Sequence, residues 1–195
     1  MKEFTVFTST ALPLKVDNID TDQIIPARFL KAVTRDGFGE KLFNDWRYKA
    51  DGTPKNDSVF ADPRYKDAHV LLVNESFGTG SSREHAAWAI HDYGFRCVIG
   101  ASFGDIFYNN SLKNGLLIVK LEKKEIEWLF HANEKDPNLE ITIDLPQQLV
   151  STSAGGHFNF EINPFRKTCI VKGVDDLGYL LALDDKIKEY EMKSF

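Results

Sequence analysis

From residue 68 onward, short apolar runs alternate with longer amphipathic stretches. This pattern predicts strands at 69–73, 95–99 and 116–120 and helices at 82–93, 104–114 and 122–133, the second helix closed by Gly115. Strand and helix in strict alternation predict a parallel βαβαβ unit, because each right-handed crossover returns the chain to the same edge of a sheet. The centre of the chain therefore reads as α/β. Before it, Phe4, Val6 and the residues that follow alternate as a strand does, and Asn18-Ile19-Asp20-Thr21-Asp22 is a polar loop whose side chains suit the cap of a short helical turn. Pro26 sets the path into Ala27-Arg28-Phe29-Leu30-Lys31, and 48–67 reads as a long irregular excursion. After the centre, 139–143 and 157–162 alternate like strands, and 175–192 carries Leu177, Leu180, Leu181 and Ile187 close to helical spacing.

Composition narrows the functional classes. With 195 residues, 43% hydrophobic and 27% charged, the chain is long enough to bury a real core, and one domain spanning 1–195 is expected. The net charge of −5, without a run of five or six like charges, argues against nucleic acid as partner. Its two cysteines, Cys97 and Cys169, are far apart and make no metal-type spacing, so both are expected to be buried and reduced. No stretch reaches the roughly 18 apolar residues that span a bilayer, and the start lacks a signal-peptide pattern, so the cytoplasm is the expected location.

The candidate chemistry lies in Phe77-Gly78-Thr79-Gly80-Ser81-Ser82-Arg83-Glu84-His85, between a predicted strand and a predicted helix. A glycine-flanked turn lets main chain approach a ligand, and the new helix aims free N–H groups at it. Ser81 and Glu84 stand in the S-x-x-E relation of a capping box, so one reading is that Ser81 merely closes the helix. The other reading gives weight to Ser82 as a second hydroxyl and to Arg83 in the first helical turn, where the dipole opposes a cation unless it meets an anion. Arginine grips a carboxylate through two parallel hydrogen bonds, and a serine acts as proton acceptor where aligned donors and positive charge stabilise its alkoxide. His85 reads as a surface or packing residue. The G-x-S-x-G elbow and the G-x-x-x-x-G-K-[ST] loop are both absent, which weakens a hydrolase or nucleotidase reading.

Three segments together resemble a known family: FGTGSSREHAAWAI, residues 18–30 (NIDTDQIIPARFL) and residues 102–115 (SFGDIFYNNSLKNG). They resemble, in the same order, the small subunits of 3-isopropylmalate dehydratase, the isopropylmalate isomerase of leucine biosynthesis. The resemblance implies an α/β swivelling domain of β/β/α architecture from the aconitase superfamily, with the parallel βαβαβ unit as its core. It also implies a large partner subunit that carries a [4Fe–4S] cluster, with no cofactor in this chain; two scattered cysteines cannot supply the thiolates such a cluster needs. Carried over by position, Ser81 is the base that takes the proton α to a carboxylate of 2-isopropylmalate, Ser82 a hydrogen-bond donor to substrate or base, and Arg83 the carboxylate clamp. On the same resemblance, cluster iron in the other subunit would supply the Lewis acid for loss of the hydroxyl, and water would then return to the adjacent carbon.

Arg28, Phe29, Leu30 and Lys31 match the family's loop near the substrate side chain, where Phe29 and Leu30 either contact an isopropyl group or simply fill the core. Asp20, Thr21 and Asp22 read as structural caps, and Ile106-Phe107-Tyr108 as core. The excursion at 48–67 is a candidate for the surface that meets the large subunit. Thr79 and Ala87 stand where many small subunits have cysteine and proline, neither at a proposed reacting position. Two alternatives stay open: a subunit serving citraconate, dimethylmalate or homoaconitate, and a non-catalytic module that binds a phosphate or carboxylate anion.

Overall fold

In chain order the elements are β1 (Val6–Ser9), β2 (Ala11–Leu14), α1 (Thr21–Ile24), α2 (Phe38–Lys41), α3 (Asn44–Arg47), β3 (Val70–Val73), α4 (Glu84–Tyr93), β4 (Cys97–Gly100) and α5 (Asp105–Lys113). They continue with β5 (Leu117–Lys120), α6 (Lys123–Lys135), β6 (Ile141–Asp144), β7 (Leu149–Thr152), β8 (His157–Asn159), α7 (Pro164–Lys172) and α8 (Asp176–Leu181). The computed structural model describes residues 1–30 and 37–184, together with 188 and 192. Lys31, and positions 185–187 and 189–191 of the predicted C-terminal helix, lie outside the described residues.

The strands form two four-stranded sheets, a parallel one in the order β2-β3-β4-β5 and an antiparallel one in the order β1-β6-β7-β8. β3 and β4 are buried at every position, as strands covered on both faces must be, which is why their sequences are continuous apolar runs. In the antiparallel sheet Ile141, Ile143 and Val150 are buried while β1 keeps outward positions exposed, giving the alternation of a sheet with one face on the core. α4 and α5 pack side by side, and α6 lies against β2, β3 and β4.

The predicted βαβαβ unit is present, and β2 extends it by one parallel strand that the sequence reading missed. β1 and β2 are separated by Thr10 alone yet belong to different sheets. β2 tolerates Pro13 because it is a margin strand of its sheet, where a missing N–H breaks no interior ladder. β7 and α7 were also unread, although α7 carries ordinary stop and start signals: Asn163 caps it through the amides of Phe165 and Arg166, Pro164 opens it, and Gly173 closes it in the left-handed region. At the C-terminal end, α8 is capped by Asp175, and Leu177, Leu180 and Leu181 face outward, at 64%, 57% and 67% exposure.

The 48–67 excursion is irregular as expected, with 3₁₀ turns at Val59–Ala61 and Pro63–Tyr65. It is anchored to the core through Tyr65, which is buried, and Phe60, whose ring meets Phe43 and Tyr93. α2 seats on α4 at Gly39, where a methyl group would stand 2.6 Å from the main-chain carbonyl of Asp92. Backbone cannot yield as a side-chain tip does, so Gly39→Ala is expected to cost about 2 kcal/mol and to lower the melting temperature by roughly 6 °C. An unchanged thermal melt by circular dichroism would contradict this close seating.

Candidate active site

Ser81, Ser82 and Arg83 sit in the connection from β3 to α4, beyond the carboxyl edge of the parallel sheet, where α/β proteins gather their ligands. Two neighbouring segments hold this connection. From the β2 side, the Gly78 N–H donates to the Ile19 carbonyl (2.7 Å), the Thr21 N–H to the Thr79 carbonyl (2.9 Å) and the Asn18 N–H to the Glu75 carbonyl (2.9 Å). From the β4 side, the Phe77 N–H donates to the Ser102 carbonyl (3.1 Å) and the Gly104 N–H to the Phe77 carbonyl (2.9 Å).

The glycines predicted to tighten the turn do so. Gly78 and Gly80 have φ of +73° and +95°, the left-handed region that glycine enters without steric cost. A methyl at Gly78 would lie 2.4 Å from the Phe107 ring, and one at Gly104 would lie 2.4 Å from the Gly78 carbonyl oxygen. Phe107 is thus core, as expected, and serves as the floor of the turn; its neighbour Ile106 is outward, at 49% exposure.

The capping-box reading of Ser81 is overturned. α4 starts at Glu84, two residues later than predicted, and its cap position is Arg83, in extended backbone with no side-chain cap. Glu84 does not reach back toward Ser81, because its carboxylate accepts a bond from Asn114 Nδ2 (2.8 Å). Asn114, just past α5, also accepts from the Trp88 indole (2.9 Å), so one amide ties the end of α5 to the first half of α4. No side chain caps the start of α4, and Ser81 and Ser82 just before it are both exposed.

Arg83 is likewise not in the first helical turn, and the anion it was expected to need is internal: its guanidinium pairs with Asp22. The Arg83 side chain is 14% exposed and that of Asp22 53% exposed. Asp22 lies on α1, which Asp20 caps through the Gln23 N–H (2.8 Å) while Gln23 Oε1 accepts the Asp20 N–H (2.8 Å). The cap roles of this segment are as predicted for Asp20. Thr21 does more: it is buried, and its hydroxyl donates to the Ser81 carbonyl (3.1 Å). The sequence signal for Asp22 was the demand of the Arg83 cation near a helix start for an anion, which did not say where that anion lay.

His85 packs as expected, its ring 5.2 Å from Phe38 and 4.8 Å from Trp88. Arg28, Phe29 and Leu30 do not join the Ser81 turn. Arg28 donates to Asp45 (3.1 Å to Oδ2) and Asn44 (2.8 Å), and its guanidinium lies 4.6 Å from the Phe29 ring. The Arg28 hydrogen bonds hold the Asp45 carboxyl below its usual range. Arg28 and Phe29 line a separate groove of about 950 Å³ with Lys41, Lys55 and Tyr48, and Phe29 and Leu30 are half-buried against the core.

The donors of this chain do not fit an iron–sulfur cluster. Cys97 and Cys169 are both free and buried, on β4 and α7, and burial pushes the Cys97 thiol far up, away from the thiolate that binds iron. Among the described residues no group of three or more His, Cys, Asp or Glu is placed to hold a metal ion.

Comparison with known proteins agrees with this architecture. The family model described as the aconitase C-terminal domain matches residues 1–124, and one described as LeuD_N matches residues 127–164. Among curated relatives, the 3-isopropylmalate dehydratase small subunit of Brevibacillus brevis is 47% identical over 193 residues, covering 99% of this chain and 100% of its own. That of Lactococcus lactis subsp. lactis is 48% identical, covering 100% of both chains. A crystal structure of 3-isopropylmalate dehydratase from Methanocaldococcus jannaschii superposes with a TM-score of 0.65 at 23% identity over 98% of this chain, which supports the fold. By full-length identity to these relatives and by the match to the superfamily's domain, the chain belongs to the small subunits of 3-isopropylmalate dehydratase.

Proposed function

We propose that the Ser81–Arg83 turn is this chain's share of the active site of a hydro-lyase that interconverts 2-isopropylmalate and 3-isopropylmalate and works only with its large subunit. The observation that carries the reading is the placement of an exposed hydroxyl at an uncapped helix start, two residues from a guanidinium that the fold holds in place. Ser81, as alkoxide, takes the proton from the carbon next to a substrate carboxylate. The C–H pair becomes the double bond of an unsaturated dicarboxylate, and the hydroxyl leaves from the neighbouring carbon toward the partner subunit. Rehydration with the positions exchanged yields the isomer. The N-terminus of α4 favours a negative charge at the turn by about 0.3–1 kcal/mol, and the Arg83 cation adds to this. Ser82 donates to the substrate or to the Ser81 oxygen, and Arg83 grips a carboxylate.

The [4Fe–4S] cluster belongs to the large subunit, in keeping with the unsuitable donors found here. Relatives named for isopropylmalate favour this substrate over citraconate, dimethylmalate or homoaconitate. Arg28, Phe29 and Leu30 contribute a second wall, for the isopropyl group, once the subunits join. The whole chain acts as one swivel domain, in the cytoplasm and without nucleic acid or membrane; no helix among the described residues is long and apolar enough to cross a bilayer. Arg83→Lys keeps the charge but loses the planar fork. Reconstituted with the large subunit, it is expected to lose about 10²-fold in kcat/KM for 2-isopropylmalate. Near-normal kinetics would remove Arg83 from the clamp role.

A further inference from the structure

We infer that Asp22 is a positioning residue for Arg83: its carboxylate anchors one edge of the guanidinium and thereby presents the remaining donors to a substrate carboxylate. The inference rests on Arg83 being the clamp, and it names the group that prepares it. Asp22 is not the nearest acid in sequence. That acid is Glu84, and Asn114 holds it away through a 2.8 Å bond. The fold instead brings in a carboxylate from 61 positions upstream.

It does so through rigid parts. α1, which carries Asp22, is closed by its own capping box, and the adjacent Thr21 is fastened to the turn twice, by its N–H to Thr79 (2.9 Å) and by its hydroxyl to Ser81 (3.1 Å). The two ends of the ion pair are therefore held by the same local framework. The pair uses Nη1 of Arg83, and a guanidinium has five N–H donors in one plane, so a carboxylate on one edge leaves others for a ligand. An arginine without such an anchor spreads over many rotamers, and substrate binding would have to restrict them. An anchored fork is already oriented, which is how positioning lowers the free-energy cost of recognition.

Asp22→Asn keeps the shape of the side chain and an accepting oxygen while deleting the charge. The test compares Asp22→Asn, Arg83→Lys and the double variant, each reconstituted with the large subunit. The measurements are kcat and KM for 2-isopropylmalate, thermal melting of the small subunit, and assembly by size-exclusion chromatography. Asp22→Asn is expected to lose about tenfold in kcat/KM, mainly through KM, with melting and assembly unchanged, and the double variant is expected to be no worse than Arg83→Lys. Three results overturn the inference while leaving the clamp in place: normal kinetics for Asp22→Asn beside an impaired Arg83→Lys, losses that multiply in the double variant, or a loss in Asp22→Asn that follows lowered melting or assembly. Normal kinetics for Arg83→Lys overturns the clamp and this inference with it.

Discussion

Reconstituted with its large subunit, the Ser81→Ala chain is expected to isomerise 2-isopropylmalate about 10³-fold more slowly than the parent, with KM little changed. The structure separates this chemical loss from damage to the fold. Thr21 bonds to the carbonyl of Ser81 and not to its hydroxyl, and the side chain is exposed, so removing the Oγ atom breaks no brace. Melting by circular dichroism and co-elution with the large subunit should match the parent. Single-turnover measurements then assign the deficit to proton transfer. Activity within tenfold of the parent would mean that another group is the base.

The second large effect is on stability. Gly78→Ala places a methyl 2.4 Å from the Phe107 ring, at a residue whose φ of +73° a side chain seldom adopts. Left-handed backbone costs an alanine about 1 kcal/mol, and overpacking a filled site adds about 2 kcal/mol, for a sum of about 3 kcal/mol. Phe107 is buried and joined to Phe77 and Phe103 in one ring cluster, so it has little room to withdraw. The melting temperature should drop by roughly 10 °C, and the surviving folded fraction should have low activity because the displaced segment carries Ser81. A melt within 2 °C of the parent, read against the about 3 kcal/mol expected here, would show that the turn relaxes freely.

Most of the architecture was legible because it follows from periodicity. Three apolar runs and the mixed stretches between them defined the parallel unit to within two residues at most boundaries. β2 was not legible: Ala-Leu-Pro-Leu is four residues long and holds a proline, and only its place at a sheet margin makes it a strand. β7 and α7 were written in ordinary signals, with Asn163-Pro164 and Gly173 bounding α7, and were passed over for want of a strong apolar stripe.

For the candidate site, local pattern singled out the Ser81–Arg83 turn and misjudged its setting. Ser-x-x-Glu is a sound capping signal, but Asn114, 30 positions away, competes for Glu84. Likewise the dipole argument set Arg83 in the first helical turn and looked to a ligand for its anion, whereas Arg83 is the cap residue and Asp22 supplies the anion from within the chain. Arg28, Phe29 and Leu30 resemble a substrate wall in sequence, yet in the subunit alone Arg28 and Phe29 line a different groove and Leu30 packs against the core.

The fastening of residues 18–21 onto residues 75–81 has a consequence for how such a chain can diverge. Both ends of the intervening stretch are pinned, and lengthening a loop between fixed ends costs only a logarithm of its length, about 0.6 kcal/mol for each doubling. An insertion at the exposed turn around Gly52 is thus expected to leave the Ser81 corner in place, since the stretch is held at both ends and, between them, by the buried Leu42, Phe43 and Tyr65.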